Sequence, residues 1–166
     1  SVDATPLFIV LAAAYYTRTG DRGLIEMLWP HIEAALQWMA EYGDRDRDGL
    51  LEYGRTSQDG LVNQGWKDSG DSIFHADGRL AEGPIALIEV QAYAFAAYNG
   101  AAALARKLGK TSQAEALSIK ADILAKQVER LFWLDELNSY ALALDGKKEP
   151  CRVRASNAGH VLFAGL

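Results

Sequence analysis

The chain has 166 residues, 49% of them hydrophobic and 23% charged, which excludes disordered and fibrous classes and suits one globular domain with a real core. A net charge of −5, with no Lys or Arg cluster beyond Lys147-Lys148, leaves no footprint for a phosphate backbone, so no nucleic-acid partner is expected. The lone Cys151 allows neither an intramolecular disulfide nor a thiolate zinc site and points to a reducing, cytoplasmic setting; the apolar run from Pro6 to Tyr16 is too short to span a membrane.

Helical periodicity dominates in chain order. Thr5-Pro6 is a cap and first-turn signal, and Thr19-Gly20 a stop, so the first helix is predicted from Pro6 to about Arg18. Asp21 caps a second helix that runs to Tyr42, with Pro30 predicting a kink or a break, and Ile32, Leu36 and Met39 on one face. Pro84 opens a third helix that Gly109 closes. Ser112 and Glu115 have capping-box spacing for a fourth, along which Leu117, Ala121, Leu124, Val128 and Leu131 recur at helical intervals. Ser156 is the predicted cap of a fifth.

The connections carry more information than the helices. Tight glycine turns join helix one to two and three to four, whereas Gly43 to Gly83 and Asp135 to Ala155 are long. Short and long links that alternate imply two antiparallel helical hairpins with both long loops at one end. Long ordered loops in compact domains are usually functional. Tyr140 to Leu144 alternates and predicts a short strand pair. Asp3, the cluster from Trp66 to Asp71, His75, Glu89 and Ser156-Asn157 are all expected toward that end. Glu89 stands out because Ile85, Ala86, Ala92 and Tyr93 surround it at helical spacing, and a carboxylate on an apolar face needs a partner or a ligand. Trp66 stands out in the opposite way, as a large apolar ring in the polar loop NQGWKDSGDSIF.

SVDATPLFIVLAAAYY, DRDRDGLLEYG, GLVNQGWKDSGDSIFHADG, GPIALIEVQAYAFAA and SNAGHVLFAGL, in this order, resemble the glucosidase domain of the glycogen-debranching amylo-α-1,6-glucosidases and their bacterial relatives. The resemblance covers nearly the whole chain and is most specific in the tryptophan loop and the helix after it. It implies an all-α fold in which antiparallel hairpins form part of an (α/α)6 toroid with long loops on one face, residues 1–166 being a partial catalytic domain of a longer polypeptide. The implied activity is that of an inverting exo-α-glucosidase acting on α-1,6-linked glucosyl branches of glycogen or malto-oligosaccharides. One carboxylic acid protonates the leaving oxygen and a second carboxylate, roughly 6.5 to 9.5 Å away, activates water. The family motif places the acid on Asp68; the spacing used by related six-hairpin glycosidases would choose Asp71 instead. The base is implied far downstream of Asn157, so the remainder of the polypeptide is an expected partner and 1–166 alone is expected to be inactive. With the flanks of its hairpins uncovered, the isolated chain is also expected to self-associate. Asp3, Trp66, Lys67, Asp71, Glu89 and Asn157 are the implied contacts to an oligosaccharide. A six-hairpin glycosidase of another sugar specificity is one rival reading. A carbohydrate-binding or scaffold module that kept the loops without the chemistry is the other.

No cofactor or metal is expected. Asp44, Asp46, Asp48 and Gly49 match the opening of a calcium loop, but its twelfth position is Arg55 where a glutamate is needed, so a turn whose aspartates cap backbone amides is preferred. His75 and His160 lack a third ligand and are expected as satisfied polar residues, and His31 as a surface residue. Trp29, Trp38 and Trp133 are expected in the core.

Overall fold

The computed structural model describes residues 1–166 apart from Thr56, Gln58 and Asp68. Helix α1 spans Ala4–Thr19, so it starts before Pro6, and the residue ahead of it is Asp3 and not the expected Thr5. Pro6 fits within this first turn because N–H groups there have no intrahelical partner. Gly20 ends α1 in the left-handed conformation, φ 69°, and donates its N–H to the Tyr16 carbonyl. Asp21 Oδ1 accepts from Leu24 N at 3.0 Å and caps α2, Arg22–Trp38. Pro30 does not split α2: proline and Glu26 are both exposed, so the carbonyl deprived of its partner can turn to water. A π-type turn, Met39–Gly43, ends the hairpin and buries Met39.

Strand β1 is Ala86–Leu87, α3 is Ile88–Lys107 and α4 is Thr111–Phe132; β2 (Trp133–Leu134), β3 (Ser139–Tyr140), β4 (Ala143–Leu144) and α5 (Gly159–Ala164) follow. Two expectations are corrected in α3 and α4. Pro84 does not open α3, because Ile85 exchanges backbone hydrogen bonds with Tyr53 and β1 pairs antiparallel with β4, which keeps 85–87 extended. Ser112 and Glu115 make no capping box, since α4 already begins at Thr111 and Lys110 precedes it. Tyr140 to Leu144 is not a strand pair of its own. Its first half joins β2 through β3, and its second half joins β1, because Ala141 N donates to Phe132 O and Leu142 N to Cys151 O. Ser156 starts a single 3-10 turn, Ser156–Ala158, and caps nothing with its side chain.

The molecule is mostly helical, with α1 packed on α2 and α3 on α4, as the short glycine links predict. Helix α3 is the shared element, touching α4, α1 and α5. Its buried face is built from Ala92, Ala94, Ala97, Ala101, Ala102 and Ala105, and small side chains let neighbours approach on several sides. Gly100 extends that device: a Cβ there would lie 2.8 Å from the Ala13 Cβ of α1. Among the described residues no helix is long and apolar enough to cross a membrane.

The two long loops meet at the start of α3. Gln91 accepts from Leu51 N at 2.8 Å and donates to Leu51 O at 2.7 Å, replacing a stretch of sheet with one buried amide. Asp145 Oδ2 lies 3.3 Å from His75 Nε2, both side chains being buried. Lys148 Nζ reaches Asp46 Oδ2 at 3.1 Å, Asp48 Oδ2 at 2.7 Å and the buried Glu52 Oε1. Burial pushes the Glu52 carboxyl above its ordinary value, and the Lys148 ammonium offsets part of that rise. Replacing Lys148 by Met leaves Glu52 buried without its cation, which costs about 3 kcal/mol at neutral pH. A carboxyl whose folded pKa is raised supports folding fully only below its unfolded pKa and loses that support as pH rises through the folded value. Urea unfolding of Lys148→Met should therefore show a deficit against the parent chain that shrinks as the pH falls into the carboxylate range.

Candidate functional site

The site begins with a helix that starts inside the protein. β1 delivers the chain directly into α3, so Glu89, in its first turn, has no exposure to solvent at all. Its Oε1 accepts from Trp66 N at 3.3 Å, and Oε2 has no hydrogen-bond partner among the described residues. Beside it Asn157 is also fully buried, and neither its Oδ1 nor its Nδ2 is partnered among the described residues. Burial pushes the Glu89 carboxyl above its ordinary value; the Trp66 N–H, and the nearby Asn157 amide although it stands outside hydrogen-bonding geometry, offset part of this, and the charge of Asp3 adds to it.

The loop over Glu89 must come close. A Cβ on Gly65 would collide with the Leu87 side chain and stand 2.8 Å from Glu89 Oε1, so only glycine lets the backbone pass. Asn63 organises the rest of the loop, accepting from Tyr53 Oη at 2.8 Å and donating to Ser69 O and, at 3.0 Å, to Ser72 Oγ. Val2 N donates to Gln64 O at 3.2 Å, which brings Asp3 beside Trp66.

With its backbone held down, Trp66 turns its ring outward and remains 61% exposed. It lines a cavity of about 420 Å³ together with Asp3 and Leu7 from the chain start, Tyr93 from α3, and Ser156, Gly159, His160 and Phe163 from the last segment. His160 sits against the Trp66 ring, centroids 4.9 Å apart and planes tilted by 55°, and its Nδ1 is 2.7 Å from Tyr93 Oη. The lining thus combines aromatic rings with a carboxylate.

Of the residues singled out from sequence, Asp3 and Trp66 line the cavity, and Glu89 and Asn157 lie buried behind it. Lys67 and Asp71 do not line it: the Lys67 carbonyl accepts from Ser72 Oγ at 3.2 Å, and Asp71 is exposed. Asp68, the candidate proton donor, lies outside the described residues. Tyr93 and His160 were not foreseen as a unit. The available signals were that Tyr93 falls one helical turn after Glu89 and His160 three residues after Asn157. His160 is satisfied at Nδ1 alone among the described residues.

The carboxylates of Asp44, Asp46 and Asp48 come within 4.8 Å of one another. They act as the turn reading expects, Asp44 accepting from Asp48 N at 3.0 Å and Gly49 N at 2.9 Å, and Asp48 from Leu50 N at 2.9 Å. The ammonium of Lys148 stands against two of them.

No family model and no curated protein matches the chain. Its fold is similar to part of the crystal structure of a GH78 family rhamnosidase of Bacillus sp. GL1, with a TM-score of 0.71 and 20% identity over 96% of this chain and 15% of that one. At that identity the likeness is one of fold. The chain spans about 15% of the length of that protein.

Glu89 yields a test of sign. Because burial raises its folded pKa, the group favours folding below its unfolded pKa and loses that contribution as pH rises through the folded value. Denaturant unfolding followed from about pH 4 to about pH 8 should show the parent chain losing more stability than Glu89→Gln, whose amide does not titrate in this range. Equal slopes for the two proteins would mean that Glu89 is not held in its protonated form by burial.

Proposed function

We propose that the chain is part of the catalytic domain of a glycoside hydrolase, an (α/α)6 toroid acting as an inverting exo-α-glucosidase on α-1,6-linked glucosyl branches of glycogen or malto-oligosaccharides. The observation that carries this reading is the cavity lined by Asp3, the exposed Trp66, Tyr93 and His160. A pyranose ring has apolar C–H faces and a polar hydroxyl edge, and an aromatic plane with a carboxylate in the same cavity matches both. The helical fold shared with part of a rhamnosidase supports the same class.

Within that reading Asp68 protonates the leaving oxygen, with Asp71 as the alternative; Asp3 and Trp66 bind the sugar, the buried Glu89 and Asn157 position them, and Lys67 and Asp71, which do not line the cavity, are left to contacts with the rest of an oligosaccharide. The base comes from the remainder of the polypeptide, so residues 1–166 alone bind sugar without turnover. Leu162 and Phe163, 84% and 73% exposed, would be covered by that remainder and, in the isolated chain, by a second copy; mass in solution tests this. One observation favours a second reading. The similar fold belongs to a rhamnosidase, so titration with isomaltose against rhamnose separates a glucosidase from a six-hairpin enzyme of other specificity.

Trp66→Ala should weaken isomaltose binding about tenfold in calorimetry and leave stability within about 0.5 kcal/mol, since the ring is largely in water. A large fall in melting temperature with unchanged affinity would assign Trp66 to packing. In the full polypeptide, Asp68→Asn should lower kcat roughly a hundred- to ten-thousand-fold with binding retained, the loss expected of a missing proton donor. Near-normal turnover there, with Asp71→Asn inactive, moves the role to Asp71.

A further inference from the structure

The geometry points to His160 as a sugar-binding residue, held by Tyr93 as the Nε2–H tautomer so that it presents a hydrogen-bond donor to a hydroxyl of the ring lying on Trp66. This rests on the sugar-binding reading of the cavity above.

Two neutral groups face each other at 2.7 Å, Tyr93 Oη and His160 Nδ1, and either can hold the shared proton. Burial above all pushes the Tyr93 phenol up to about 12, and burial lowers the imidazole below its ordinary value, so neither ionises at neutral pH. If Nδ1–H donated to the phenol oxygen, the Tyr93 hydroxyl hydrogen would need another acceptor. Tyr93 lines the cavity but is only 4% exposed, and its hydroxyl has no acceptor other than Nδ1 among the described residues. Donation from Tyr93 to Nδ1 satisfies both groups, and it leaves the ring's one proton on Nε2.

Nε2 has no partner among the described residues, yet His160 lines the cavity with Trp66 and Asp3. The Trp66 ring, 4.9 Å away and tilted by 55°, limits how the imidazole plane can turn. Asp3 accepts only, when ionised. A donor at His160 and an acceptor at Asp3 would suit two hydroxyls of one sugar ring, since a hydroxyl serves as either.

The experiment uses protein labelled with ¹⁵N-histidine, His160 being assigned by its loss in His160→Gln. Long-range ¹H–¹⁵N spectra at neutral pH should show His160 as the Nε2–H tautomer, and isomaltose should shift Nε2 with saturation. Tyr93→Phe should abolish the tautomer preference and weaken isomaltose binding about five- to tenfold, the worth of one oriented hydrogen bond. His160→Gln, which keeps an N–H donor, should bind better than His160→Leu. A merely structural Tyr93 would lower the melting temperature and leave the tautomer unmoved. An Nδ1–H tautomer in the parent protein overturns the inference, as does isomaltose that binds without moving Nε2; in the latter case the sugar-binding reading stands. Absence of any sugar binding to the parent protein overturns both.

Discussion

A carboxyl group without access to water sits in the first turn of α3, and the loop that closes over it has little freedom. An unpaired buried charge is costly, so Glu89 retains its proton or is supplied with donors. Among the described residues the donor supplied is the Trp66 N–H, and reaching it requires a backbone that comes as close as Gly65 permits. Drawing the backbone of residue 66 inward leaves its ring outside, where it becomes a wall of the cavity. Local burial of one acid thereby sets the direction of the aromatic group that shares the cavity with Asp3.

The same helix grips the other loop strand from a different side. Gln91, two residues after Glu89, holds Leu51 through both ends of its amide. The described residues between 44 and 85 contain almost no regular structure, and backbone groups that no ladder satisfies need other partners. Asp44, Asp48 and Asn63 supply them there, and Asp145 does the same for Lys147 N and Glu149 N in the second long loop. The polar composition of these loops is therefore largely structural. Lys148 closes the arrangement by placing one ammonium among Asp46, Asp48 and Glu52, a point charge where a calcium-type loop would gather oxygen ligands around an ion.

The helices were legible because their signals are local: a 3.6-residue apolar period and glycine stops at Gly20 and Gly109. Their starts were less so. Pro84 and Ser112 permit a helix to begin without requiring it, and at Pro84 the outcome was decided by Tyr53 and β4, remote in sequence. Tyr140 to Leu144 alternates like a strand pair, but the alternation says only that one side is buried, not which partners take the backbone. Trp66 and Glu89 are legible because each sits in surroundings that contradict its chemistry, and Asp3 through the resemblance and its place ahead of a helix. Tyr93 and His160 are not. A tyrosine on an apolar helical face looks like core, and their hydrogen bond joins residues 67 positions apart.

What the sequence determined by itself was the mostly helical class, the two hairpins and the end of the molecule where polar loops gather, since all three follow from short-range periodicity and link length. What only the tertiary structure decided was which polar groups are left unsatisfied and where. Glu89 Oε2, the Asn157 amide and His160 Nε2 are distinguished by the absence of partners among the described residues, and absence depends on every neighbour at once. No pattern along the chain encodes it, because the atoms that fail to arrive belong to segments folded from the whole length of the polypeptide.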